Sequence, residues 1–74
     1  MTYEQRLAKA GFVRGPIRKR YERWDDVDGK AVAEVGHDGH LLASPEALAA
    51  IGVVPDVWGS DSARPTWGRV HTRR

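Results

Sequence analysis

Residues 18–46 read RKRYERWDDVDGKAVAEVGHDGHLLASPE, and the two Asp-Gly pairs in this stretch decide the fold. Asp28-Gly29 and Asp38-Gly39 are tight-turn signals, because glycine takes the positive φ that hairpin turns demand and aspartate tolerates the neighbouring position. Between them Lys30–Val35 is strand-like, with Val32 and Val35 apolar, and Leu41 and Leu42 resume the pattern after the second turn. Pairing 18–25 with 30–36, and 30–36 with 40–43, gives a three-stranded antiparallel sheet. A helical reading of 17–24 competes with the first strand: Ile17, Tyr21 and Trp24 fall at i, i+4 and i+7, with Pro16 at a first turn.

Outward from the sheet, both flanks read as helices. Ser44-Pro45-Glu46 carries a cap, a proline in the first helical position and an acid near the positive end of the dipole. The short helix Pro45–Ile51 then presents Leu48 and Ile51, and Gly52 closes it. Toward the N-terminus, residues 2–12 form a helix with Thr2 as cap, Tyr3, Leu7 and Ala10 on one face, and Gly11 as the stop. The expected fold class is therefore α+β: an N-terminal helix and one short capped helix on a small three-stranded antiparallel sheet. Residues 1–58 make this single domain. Residues 59–74, rich in Gly, Ser, Asp, Arg and Pro, are expected as an irregular, basic, loosely ordered C-terminal tail.

Composition narrows the function. The 74 residues include no cysteine, which removes disulfides and thiolate metal sites. No apolar run approaches the ~20 residues of a membrane span, and no h-region follows the charged start, so a cytoplasmic protein without a membrane partner is expected. Net charge is only +2, yet it is segregated: 1–24 carries seven Lys/Arg against two Glu, 25–61 carries Lys30 against eight acids, and 62–74 carries four Arg and no acid.

No catalytic constellation emerges. Ser44 is taken as a helix cap, no serine sits in a Gly-x-Ser-x-Gly elbow, and no phosphate-cradling glycine loop occurs. His37-Asp38-Gly39-His40 is the one metal-like cluster: its two imidazoles could share a divalent ion with Asp38 or the distant His71, but a second pair of ligands at short spacing is missing. Asp25, Asp26 and Asp28 with Gly29 do not match the ligand spacing of a calcium loop. No enzyme activity, metal or cofactor is expected.

Two binding readings remain. Trp58 and Trp67, with Arg64 and Arg69 nearby, have the composition of interface anchors, which points to a protein partner or to self-association into a homo-oligomer. Arg14, Arg18, Lys19, Arg20 and Arg23 interleave with Tyr21 and Trp24, as phosphate contacts with base stacking require, and Arg73 and Arg74 could add to them. The first reading, a non-enzymatic protein-binding module, is preferred; nucleic-acid binding is the alternative.

Two resemblances bear on this. Nine Arg against three Lys, with abundant Ala, Gly, Val and Asp, resembles the short orphan proteins of actinobacteria and their phages. That resemblance implies an accessory protein contacting a host or phage protein. Leu7–Arg14, reading LAKAGFVR, with 17–36 following, resembles the recognition helix and wing of winged-helix regulators. The resemblance departs at the two preceding helices, which are missing, and at the implied wing tip Asp25–Asp28, which is acidic.

Overall fold

The computed structural model describes residues 2–71, which form two helices and six strands. Helix α1 (Tyr3–Lys9) is followed by β1 (Val13–Ile17), β2 (Tyr21–Asp25), β3 (Val32–Gly36) and β4 (Leu41–Ala43). Helix α2 (Pro45–Ile51) then leads to β5 (Val57–Trp58) and β6 (Gly68–Val70). All pairs are antiparallel, in the order β1-β2-β3-β4-β6-β5.

The sheet thus has six strands rather than the expected three. Residues 21–25, 32–36 and 41–43 form its centre, and 17–24 is not a helix. The additional strands lie where the sequence is punctuated. Strand β1 contains Gly15-Pro16, which it accommodates as an edge strand whose register shifts between Arg14 and Ile17. Strands β5 and β6 have two and three residues, too short to carry a period, and Gly68–Val70 falls within the segment expected as an irregular tail.

Local chemistry fixes the helices. Thr2 and Gln5 form a reciprocal capping box, with Gln5 N–H donating to Thr2 Oγ1 at 3.1 Å and Thr2 N–H to Gln5 Oε1 at 2.9 Å. Helix α1 stops at Lys9 rather than reaching 12, and Phe12 N–H returns to the Leu7 carbonyl at 2.9 Å. Ser44 caps α2: its Oγ accepts from Ala47 N–H at 3.3 Å and from Val32 N–H at 3.2 Å, tying the helix to β3. Gly52, at φ 69°, ends α2 in the left-handed conformation.

Register divides the sheet into two faces. Trp24, Ala33, Ala43, Val35, Leu41 and Val70 align on the side that carries the helices, where they pack with Leu7, Phe12, Leu48 and Ile51. On the other side Arg23, Glu34, Leu42, Arg69 and Val57 form one row across five strands. Among the described residues no helix covers that face. The β5–β6 loop, residues 59–67, covers part of it instead, and buries Glu34 and Leu42 to 6% and 7% exposure.

Candidate functional site

Strand direction places the charges at opposite ends of the sheet. One end holds the turn with Asp26 and Asp28, the end of β2 at Asp25, and the start of α2 at Glu46. The other holds the β1–β2 tip (Arg18, Lys19 and Arg20), the 37–40 turn, and His71 beyond β6. The winged-helix resemblance implied a tip at the acidic turn. The structure puts a separate, basic hairpin tip at the opposite end, and of the implied recognition helix Leu7–Arg14 only 7–9 is helical, 10–11 being turn and 13–14 the start of β1.

The basic residues between 14 and 23 divide into paired and unpaired groups. Arg14 Nε faces Glu22 Oε1 at 3.6 Å and its guanidinium lies 5.4 Å from the Trp24 ring centre. Arg23 Nε donates to Asp25 Oδ1 at 3.2 Å. Arg18, Lys19 and Arg20 are exposed and make no ion pair among the described residues. Arg73 and Arg74 lie outside the described residues.

The residues expected as protein anchors do not gather into one patch. Trp67 is half-buried under Arg64, whose guanidinium carbon is 5.0 Å from the ring centre. Arg64 is held further by Glu34 Oε2 at 2.6 Å and Asp61 Oδ2 at 3.5 Å, and Arg69 Nε donates to Ser60 Oγ at 2.9 Å. Trp58 differs: it is 54% exposed on β5, the outermost strand, beside exposed Val54 and Val57. Sequence reasoning missed the two valines, which stand either side of Pro55-Asp56 and look like core positions.

Between the β5–β6 loop and the 37–40 turn, the uncovered face holds an open furrow of about 400 Å³. Arg20, Tyr21, His40, Leu42 and Arg69 line it, with Glu34, Asp38 and Asp61 on its walls. Burial pushes the Glu34 carboxyl above its ordinary range, and the Arg64, Arg23 and Arg69 guanidinium groups only partly oppose this. The Asp38 carboxyl is held below its ordinary range, chiefly by the His40 backbone N–H, which donates to Oδ1 at 3.0 Å.

The three histidines do not converge on one point. His40 Nδ1 is 3.3 Å from Asp38 Oδ2, and the His40 and His71 rings meet edge-on at 5.4 Å. His37 turns instead to the hairpin tip, with Nε2 3.4 Å from the Arg18 carbonyl oxygen. Among the described residues, no group of three His, Asp or Glu side chains is placed to hold a metal ion. No helix there is long and apolar enough to cross a membrane. The chain matches no protein-family model, no curated protein and no solved structure.

Proposed function

We propose that the protein is a small non-enzymatic binding module that contacts a protein partner along β5. The observation that carries this reading is Trp58, 54% exposed on the free edge of the sheet, with Val54 at 83% and Val57 at 38%. A tryptophan left in water forgoes a large burial gain, and aromatic anchors of this kind recur at the centres of interfaces. Among the described residues strand β5 pairs on one side only, with β6, so its outer backbone groups suit an extended partner segment added as a seventh strand. In this reading Trp58 makes the contact, while Trp67 and Arg64 hold the 59–67 loop that follows it. A composition like that of small phage proteins suits an accessory role of this sort.

The test is affinity capture and photo-crosslinking in cells, comparing the wild type with Trp58→Ala and with a remote control, Lys30→Ala. A crosslinker placed at Val57 should trap a discrete product that Trp58→Ala loses and Lys30→Ala keeps, with the thermal melt of each variant unchanged. Equal capture by Trp58→Ala would sink the assignment.

A further inference from the structure

A tight hairpin normally closes on Asn, Asp or Gly, which take the positive φ of the favoured turns. The β1–β2 connection does not. Arg18 N–H donates to the Tyr21 carbonyl at 2.7 Å, closing a loop over Lys19 and Arg20, and no non-glycine residue in the described chain has positive φ. His37 braces the loop from the next turn, its N–H donating to the Arg20 carbonyl at 3.1 Å. Three adjacent cations repel one another, and no carboxylate among the described residues neutralises them. Departures from local sequence rules concentrate at functional or strained positions.

The tip opens onto the furrow. Arg20 and Tyr21 pass directly from one to the other, and His40 and Arg69 continue the lining. The half-buried Tyr21 lies on the uncovered face, two residues from Arg23 along β2, and pairs with Gly36, over which the Asp38 carboxylate sits. The acids nearby are already engaged: Glu34 and Asp61 with Arg64, Asp38 with His40, and Asp56 Oδ2 with the His71 N–H at 2.9 Å. Unpaired cations leading onto an aromatic floor, with a further guanidinium beyond, suit phosphates followed by stacked bases.

We propose that the hairpin tip and furrow bind single-stranded nucleic acid, with Arg18, Lys19 and Arg20 on phosphates and Tyr21 under a base. The acidic turn at the far end of the sheet orients the polyanion toward this end. The site is separate from Trp58 and does not rest on the protein-contact reading.

The experiment is fluorescence anisotropy with labelled oligothymidylate and oligouridylate strands of about 12 nucleotides, within the site sizes of small single-strand binders. A matched duplex and anionic phospholipid vesicles serve as competing probes. Three phosphate contacts predict an affinity for single strands that falls about 20-fold between roughly 50 and 200 mM salt. The variant Arg18→Ala/Lys19→Ala/Arg20→Ala, on exposed positions, should lose that salt dependence and most of the binding. Tyr21→Ala should weaken binding roughly tenfold and Tyr21→Phe should restore it, since stacking needs the ring and not the hydroxyl. Lys30→Ala should bind like the wild type. No binding of either strand at the lower salt would overturn the proposal, as would a triple variant equal to the wild type. Preference for the duplex, or capture by vesicles alone, would overturn it equally, and a Tyr21→Phe protein as weak as Tyr21→Ala would remove the stacking role.

Discussion

Arg64 reaches across from the β5–β6 loop to set its Nη2 2.6 Å from Glu34 Oε2, over a carboxylate side chain only 7% exposed. This contact joins two regions 30 residues apart and converts an uncovered sheet face into a partly roofed one. Burying a charge is costly unless it is paired, so removing the partner harms more than removing the charge. Arg64→Ala should destabilise the fold by about 2 kcal/mol, below the full cost for a buried pair because Arg64 itself is partly exposed. Glu34→Gln should cost less, since it removes the desolvated charge and keeps an acceptor. Urea denaturation of both variants checks the ordering, and an Arg64→Ala midpoint equal to that of the wild type would contradict the bracing role.

The same carboxylate makes stability depend on pH in an unusual direction. Burial raises the Glu34 pKa above its ordinary 4.5, so the folded protein holds this proton more tightly than the unfolded chain does. Its contribution to folding is complete below that ordinary value and is lost as pH rises through the native one. Asp38 works oppositely: the His40 amide lowers its pKa from the ordinary 3.8. Its contribution is present above 3.8 and is lost as pH falls through the lowered native value. Urea midpoints measured across this range should show Glu34→Gln flattening the loss on the alkaline side and Asp38→Asn flattening the loss on the acid side.

Gly68 sits where the chain leaving α2 crosses β6. A Cβ there would lie 2.6 Å from Pro55 Cβ and 2.7 Å from Leu48 Cδ1, closer than carbon atoms approach. Gly68→Ala should therefore cost about 1–3 kcal/mol through overpacking, lowering the melting temperature by at least about 4 °C. The comparison variant Gly29→Ala, at φ 70° with nothing within 4 Å of its Cβ, separates crowding from backbone strain. Pro55→Gly, which removes the Cβ together with the ring, should cost less in the Gly68→Ala background than in the wild type, and equal costs would exclude the proline side chain as the obstacle.

What was legible in the sequence was what neighbouring residues decide among themselves. Ser44-Pro45 with Gly52 bounds α2, Thr2 starts α1, and the two Asp-Gly pairs turn the central strands. The rest depends on partners far along the chain. Strand β6 holds three residues, Gly68–Val70, and becomes a strand through its pairing with Leu41–Ala43. Glu34 looks like the solvent-facing residue of an alternating strand, and is buried only because the loop carrying Arg64 folds over it. The candidate surfaces follow the same division. Trp58 was visible as a tryptophan among turn formers, whereas the internal use of Trp67, Arg64 and Arg69 required the fold of the 59–67 loop. Likewise the basic run at 18–20 was plain, but its separation from Asp25–Asp28 depends on the strand order.

The protein has three tryptophans, and the fold gives each a different environment, so fluorescence can test the exposed edge without a partner. Trp24 is 5% exposed with a buried indole N–H, Trp67 is half-buried under Arg64, and Trp58 is 54% exposed. Acrylamide should quench one component strongly, that component should emit at the longest wavelength, and Trp58→Phe should remove it while leaving the remaining emission shifted to the blue. Because phenylalanine keeps the apolar edge, stability should change by no more than about 0.5 kcal/mol, as for surface substitutions in general. If Trp58→Phe left the quenchable fraction unchanged, the indole would be covered in solution. In that case the free β5 edge, the basis of the proposed protein contact, would be occupied in the isolated protein, and self-association through that edge would be the first thing to measure.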